Sequence, residues 1–425
     1  MKRIVFISSV YPNPKNNGKR IVLSGILEYL LDIFGINAVT FILVGEHSKS
    51  DDALDCNIIV INKPGTLSRL KNLVTYVWLK RTKSIQECML FSRKIGNELN
   101  NIIEQIQPDI VICDTLRIGQ FFETGVRPPG RYIMYMDDLF SVRYEKMLEV
   151  LKKHKDVQLY PLGNFKSFVP VFLQKLIDFP FVQKKVLELE SSLIRKREIE
   201  CLDYFDINLL ISEQEVKFLK ELTGKSNVYQ INPLLDSIDG KFNRKYQGNH
   251  TFVFLGALNI PHNETALLNF ISSQIDFIIK LMPDFILKVI GVGVTPDIID
   301  VASGYGKHIS LEEYVEDLEA VFNESCAMIV PLIFGSGVKI KTLEALSKGL
   351  PVISTDFGVE GILIRNGIEC IVENNLNLWP QIMSDLTNVN RNTEMSRRAY
   401  NFFHVNYSKE AIYKQYREFF TWDCD

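Results

Sequence analysis

Residues 328–356 read Met328-Ile-Val-Pro-Leu-Ile-Phe-Gly-Ser-Gly-Val-Lys-Ile-Lys-Thr-Leu-Glu-Ala-Leu-Ser-Lys-Gly-Leu-Pro-Val-Ile-Ser-Thr-Asp356. An apolar run enters a Gly-Ser-Gly loop, an amphipathic stretch follows, and a glycine stop leads to a second apolar run. That order predicts strand, loop, helix and strand, the repeating unit of a parallel sheet. Gly335, Ser336 and Gly337 let the backbone approach a ligand closely and leave helix N–H groups unpaired. Lys339 and Lys341 fall in the first turn and a half of the helix, where the positive end of its dipole disfavours a cation. An anion seated there would reverse that penalty. Glu344, one turn further, is placed to hold a hydroxyl beside the anion. The stretch predicts a site for a diphosphate attached to a ribose.

The same alternation extends in both directions. Lys2–Ser9, Ala38–Val44, Asn57–Ile61, Asp109–Cys113, Arg131–Met136 and Ile207–Ser212 read as strands. Lys19–Phe34, Glu87–Ile106 and Val182–Tyr204 between them read as helices. After a stretch rich in Asn, Pro, Asp and Gly the pattern resumes. Strands are predicted at Thr251–Leu255, Phe285–Ile290, Ala327–Leu332, Pro351–Thr355 and Glu369–Glu373, and helices at Glu264–Leu281, Glu312–Asn323 and Lys339–Lys348. Three helical patterns close the chain, the last about Lys409–Trp422. The fold class is therefore α/β, with two doubly wound domains: residues 1–235, a linker at 236–250, and residues 251–404. The final helix, within 405–425, is expected to pack back on the first domain.

A length of 425 residues suits two such domains. A formal net charge of −3 with 46% hydrophobic residues is an ordinary globular balance and gives no reason to expect nucleic acid as a partner. Met1-Lys2-Arg3 before an apolar run superficially resembles a signal peptide, but the run is short, broken by serines and lacks a cleavage site. No apolar stretch reaches the roughly 18–20 residues of a membrane span. The seven scattered cysteines fit reduced thiols of a cytoplasmic protein. The six histidines show no metal-ligand spacing, so no metal is expected.

Two segments stand apart. Residues 66–83 and 151–186 mix lysine and arginine with aromatic and aliphatic residues, a composition that suits either a helix face over a core or peripheral contact with anionic lipid at the inner face of a membrane. The loop after the first strand has no G-x-G-x-x-G and no P-loop, which weakens hydride transfer and nucleotide hydrolysis. It does place Gly18, Lys19 and Arg20 at a helix start, and these are expected to address phosphate. Asp137 and Asp138 close a predicted strand. They are read either as catalytic carboxylates or as the cap and first-turn acid of the next helix.

The run Gly335-Ser336-Gly337-Val338-Lys339-Ile340-Lys341-Thr342-Leu343-Glu344-Ala345 resembles the donor motif of group 1, family 4 glycosyltransferases, in the subgroup with G-S-G-x-K-x-K-x-x-E-A. Phe254-Leu255-Gly256, Pro261-His262-Asn263, Ile290-Gly291, Val330-Pro331-Leu332 and Thr355–Gly361 match in register, and Asp137–Ser141 and Ile211-Ser212-Glu213 match more loosely. The resemblance implies a GT-B fold with two Rossmann-like domains facing across a cleft. It also implies a retaining, metal-independent transfer of a hexosyl group from a nucleotide sugar to a glycan or lipid-linked acceptor, in a bacterial surface polysaccharide or lipopolysaccharide pathway. It places Gly256, Asn263, Gly335, Ser336, Gly337, Lys339, Lys341 and Glu344 around the donor, with Gly291, Gly293, Ser310 and Leu311 beside the base. No cofactor is implied. This chain has Ser336 where many members carry a sugar-contacting glutamate, and Glu360 with Gly361 is the candidate replacement. The loop Asn259–Asn263 lacks the family's cation, so phosphate rests on Lys339 and Lys341. A nucleotide-sugar epimerase on this fold and a non-enzymatic sugar-binding protein remain the alternatives.

Overall fold

The computed structural model describes residues 2–15, 18–46, 54–123, 127–153, 180–235, 242, 244–335 and 337–421. Two compact units divide the chain: residues 1–234 with 412–425, and residues 235–411.

The first unit contains seven strands: β1 Ile4–Ser8, β2 Val39–Val44, β3 Asn57–Ile61, β4 Ile110–Asp114, β5 Arg131–Asp137, β6 Ile207–Leu210 and β7 Val228–Gln230. They form one sheet in the order β3-β2-β1-β4-β5-β6-β7, every pair parallel. β1, β2 and β4 are buried at every position. That is why they read as unbroken apolar runs: helices cover both faces of a parallel sheet. The second unit repeats the plan with β8 Thr251–Leu255, β9 Ile286–Ile290, β10 Ile309–Glu312, β11 Ala327–Val330, β12 Val352–Ser354 and β13 Ile371–Val372, in the order β10-β9-β8-β11-β12-β13. In each sheet the order reverses beside the first strand, between β1 and β4 and between β8 and β11. Connections there leave in opposite directions and open a crevice at the strands' carboxyl ends.

Two predicted helices are corrected. Glu87–Ile106 is two helices, Ile85–Leu90 and Arg93–Ile106, separated by extended Phe91 and Ser92. Phe91 packs against Tyr76 and Phe121, and that tertiary anchoring overrides continuous local helicity. Glu312–Asn323 is also shorter than predicted. Glu312 ends β10, paired with Ile290 of β9, and the helix spans only Leu318–Glu324, capped by Asp317. The sheet claims the residues before it.

The last helix, Lys409–Phe420, joins the first unit from Ile412 onward through an aromatic cluster. Tyr29, on the helix Gly18–Phe34, lies 5.0 Å from Tyr413 and 5.4 Å from Tyr416, ring to ring. Tyr413 donates to Asp32 at 2.7 Å, and Tyr416 donates to the Asn232 carbonyl at 2.8 Å. Tyr416 is fully buried, and its loss leaves both a cavity and an unpaired carbonyl. Tyr416→Ala is expected to lower unfolding free energy by about 3–5 kcal/mol, and Tyr416→Phe by about 1 kcal/mol. Urea unfolding followed by circular dichroism measures both; equal effects would contradict the packing described.

Candidate functional site

The carboxyl ends of β8 and β9 are each followed by a glycine. Gly256 follows β8 at φ +153°, and Gly291 follows β9 at φ +154°, a region essentially closed to other residues. A Cβ on Gly291 would sit 1.9 Å from the Gly256 carbonyl oxygen, so the two strand ends touch backbone to backbone. Gly293, at φ +77°, lies against Asn259. Ser310 and Leu311 belong to β10, next along the sheet. Ser310 donates to Glu312 at 2.9 Å, while Gly291 N–H donates to the Glu312 carbonyl at 2.9 Å. Gly256, Gly291 and Glu312 meet at the strand ends, whereas Ser310 and Leu311 lie within β10 opposite Lys288 and Val289, with Leu311 packed against the core.

Helix Ile340–Ser347 starts on the other side of the crevice, after β11, and no side chain caps its N-terminus. Its seating is firm. Thr342, fully buried, donates to the Gly358 carbonyl at 2.7 Å and ties the helix to the turn leading to Glu360 and Gly361. Lys341 projects from the first turn to the end of β8. Its Nζ would stand 3.2 Å from a Cβ on Gly256 and lies 4.9 Å from the centre of the Phe254 ring. It donates to Asn263 Oδ1 at 2.8 Å, and Asn263 donates in turn to the Ala257 carbonyl at 2.9 Å. Asn263 belongs to Pro261–Leu281, the helix following β8. One hydrogen bond therefore spans the point where the strand order reverses.

The partner is a neutral amide. No carboxylate pairs with Lys341 among the described residues, and burial together with the nearby Lys339 charge pushes its pKa down to about 7. Lys339, 8% exposed, donates to the Gly337 carbonyl at 2.6 Å and lies close to Gly335. Gly335 and Gly337 have φ +143° and +72°, so the loop needs both glycines; Ser336 lies outside the described residues. Glu344 is partly buried, and burial raises its pKa while Lys348 opposes the rise. Lys339 at the N-cap, Lys341 in the first turn, an uncapped helix end and a carboxyl without a protein hydrogen-bond donor among the described residues thus lie along one helix. The Lys341 charge has no carboxylate partner among the described residues, and an anion would neutralise it.

The first unit handles the equivalent point differently. Lys19, on the helix after β1, is held by Asp114 at the end of β4, 2.5 Å away, and by Asp137 at the end of β5, 3.2 Å away. Ser8 donates to Asp114 at 2.6 Å, and the Lys19 ammonium sits over the Tyr135 ring. Arg20 donates to the Asn13 carbonyl at 2.9 Å, and Gly18 is the exposed first residue of the helix. Of the two cations expected to address phosphate, Lys19 is engaged by two carboxylates and Arg20 by a backbone carbonyl.

The cap reading of Asp137 and Asp138 is corrected as well. The start of helix Phe140–Lys153 is satisfied from other elements: Leu139 N–H by Glu215 and Ser141 N–H by Glu198. Asp138 is buried in an ion pair with Arg143 at 2.5 Å. Asp137 has φ +73° and accepts from Tyr135 at 2.8 Å. Burial works to raise its pKa, but Lys19, Arg143 and the hydrogen bonds outweigh that and hold it below the usual carboxylate range. Asp137 is therefore a fixed anion.

Asp114, Thr115, Arg117 and Arg143 were not among the sequence candidates. Thr115 has φ +63°, an outlier for a β-branched residue, and Arg117 donates to its hydroxyl at 3.1 Å. A signal was present for Asp114: a charged residue closing a wholly apolar strand seldom lacks a local partner. Nothing in the sequence marks Thr115, since backbone strain leaves no residue-type trace there.

Residues 249–386, which hold β8 to β13, match the family model "Glycosyl transferases group 1". An uncharacterized 44.6 kDa protein in the cps region of Klebsiella pneumoniae is 24% identical over 273 residues, 62% of this chain and 66% of that protein, just under two thirds of its length. Among solved structures, sucrose-phosphate synthase from Thermosynechococcus elongatus superposes with TM-score 0.66 at 13% identity, covering 99% of both chains. Anabaena HepE in complex with UDP-glucose gives TM-score 0.61 at 10% identity, covering 98% of this chain and 99% of that one. By fold the chain is a two-sheet protein of the GT-B type, and residues 249–386 of its second unit match the group 1 glycosyltransferase model.

Proposed function

We propose that this chain is a retaining glycosyltransferase that moves a hexosyl group from a nucleoside-diphosphate sugar to a glycan or glycolipid of a bacterial surface polysaccharide. The observation that carries the reading is the Lys341 ammonium held over Gly256 with no carboxylate paired to it among the described residues. A diphosphate at the start of helix Ile340–Ser347 would receive the charge of Lys341 and Lys339 and the helix N–H groups. As the sugar–oxygen bond breaks, negative charge grows on that diphosphate, so the same contacts strengthen in the transition state. Lysines in this position do the work of a divalent cation, and the reaction is proposed to need none. Glu344 is assigned to the ribose hydroxyls, and Gly291, Gly293, Ser310 and Leu311 to the base. Glu360 is assigned to the sugar in place of the glutamate that Ser336 replaces. Asp137, kept ionised, is assigned to orienting the acceptor hydroxyl. The HepE complex with UDP-glucose and the relative in a cps region support the donor class and the pathway.

Incubation with UDP-, GDP-, ADP- and dTDP-sugars, with and without EDTA, tests the proposal. One donor should release free nucleoside diphosphate at a rate EDTA leaves unchanged, and with acceptor present the product should keep the donor's anomeric configuration by NMR. An interconverted sugar with no free nucleotide would instead mark an epimerase. Charge-assisted hydrogen bonds contribute about 1.5–3 kcal/mol, so Lys341→Ala should weaken donor binding and turnover roughly ten- to a hundredfold. Unchanged kinetics would remove the phosphate assignment.

The depressed pKa of Lys341 gives a second expectation. The charged form binds the diphosphate, so calorimetric donor affinity should fall about tenfold between pH 6 and pH 8, as the proton leaves near pH 7. Stability moves the other way. Below about pH 7 both folded and unfolded lysine are protonated; between about pH 7 and the ordinary lysine value only the unfolded state keeps the proton, so stability rises across that window. A flat affinity profile would show that Lys341 does not meet the donor.

A further inference from the structure

Residues 56–86 contain no aspartate or glutamate but carry Lys63, Arg69, Lys71, Lys80, Arg81 and Lys83. Within them, Thr66–Asn72 is an α-helix continued by a π-helical stretch, Leu73–Leu79. One side of this element is fixed to the first unit. Val77 is buried with Cys88 and Leu193, Leu73 and Tyr76 pack on the same cluster, and Asn72 donates to the carbonyls of Cys88 and Phe91. The other side has no protein cover among the described residues. Leu67 is 84% exposed, Val74 56%, Trp78 70% and Leu79 76%. Spacings of seven and four residues from Leu67 through Val74 to Trp78 set these side chains on one helical face. Lys71, Lys80 and Arg81 are exposed beside them, and none is paired with a carboxylate among the described residues.

A helix apolar on both faces, with one face in water, implies a cover for that face. The surrounding charge says which kind. A second copy of the chain would press this cationic patch against itself in an isologous contact, and like charges would oppose it. An anionic bilayer complements both features: the headgroups receive the lysines and arginine, and tryptophan and leucine enter the boundary with the acyl chains. We infer that residues 66–83 form a rigid docking surface for a membrane rich in anionic phospholipid. No helix of the described residues is long and apolar enough to cross a membrane, so the contact is interfacial. It places the first unit at a lipid surface whether or not the sugar-transfer reading holds.

The test is sedimentation of the full chain with phosphatidylcholine vesicles, with and without a one-third share of phosphatidylglycerol. The protein should bind the anionic vesicles, fail to bind the neutral ones, and be released as salt rises from roughly 0.1 to 0.5 M. Each basic residue near an anionic surface contributes about fivefold, so the triple variant Lys71→Glu, Lys80→Glu, Arg81→Glu should bind at least about a hundredfold more weakly. The pair Trp78→Ser, Leu79→Ser should lose tenfold or more, reporting the apolar half of the contact. Trp78 emission should shift to shorter wavelength on anionic vesicles, and Trp78→Phe should abolish that shift. All these residues are exposed, and unchanged circular dichroism and melting confirm folded variants. Nucleotide release from a soluble donor should stay at the wild-type rate in every variant, which separates a failure here from a failure of sugar transfer. Equal binding to neutral vesicles, wild-type binding by the charge-reversal variant, or a dimer that the variants dissociate would each overturn the inference.

Discussion

A lysine held without a counter-charge organises the second unit. Lys341 is fixed at the reversal of strand order by Asn263, over a glycine that admits no side chain, with Lys339 close behind it. Each neighbour raises the free energy of the charged ammonium: burial removes water, a like charge repels it, and the helix dipole points its positive end there. The fold tolerates the arrangement because Thr342, the Asp356–Gly361 turn and the paired glycines of β8 and β9 hold the backbone independently of that charge. What would relax it is an anion with several oxygens. Under the proposed function that anion is the donor's diphosphate, and preorganised charge of this kind gains most where negative charge develops during bond breaking.

The first unit shows the alternative use of the same topology. Its reversal point is also bridged by a lysine, here from the helix after the first strand instead of the one after the crossover strand, but Asp114 and Asp137 neutralise Lys19. Similar backbones thus carry opposite electrostatic states. The charge that remains at the first unit's strand ends is locked into pairs, Lys19 with two carboxylates and Arg143 with Asp138, while Thr115 and Asp137 hold left-handed backbone conformations. Those features describe a rigid polar surface rather than an anion trap. The left-handed backbone at Asp137 fixes the direction of the first unit's carboxylate.

Much of this was legible in the chain itself, for identifiable reasons. Strands such as Thr251–Leu255 announce themselves because parallel sheets bury both faces, and the run from Met328 to Asp356 contains its own start and stop signals. The placement of Lys341 followed from a local contradiction, a cation at the wrong end of a dipole. Long-range choices were not legible. That Asn263 would meet Lys341 depends on a fold bringing positions 78 residues apart into contact. That Lys19 would be neutralised depends on Asp114, 95 residues away. The break at Phe91 comes from an aromatic neighbour in another element, and the capping of helix Phe140–Lys153 comes from Glu198 and Glu215. Sequence periodicity reports which face is buried; it does not say which partner arrives there.

The unbalanced state of Lys341 can be observed directly by following its side-chain NMR resonance through a pH titration, alone and with nucleoside diphosphate. Burial and the Lys339 charge predict a midpoint about pH 7 in the free protein, and the proposed diphosphate contact predicts a clear move toward the ordinary lysine range on binding. A midpoint already in the ordinary range, or one that the nucleotide leaves in place, would contradict the account.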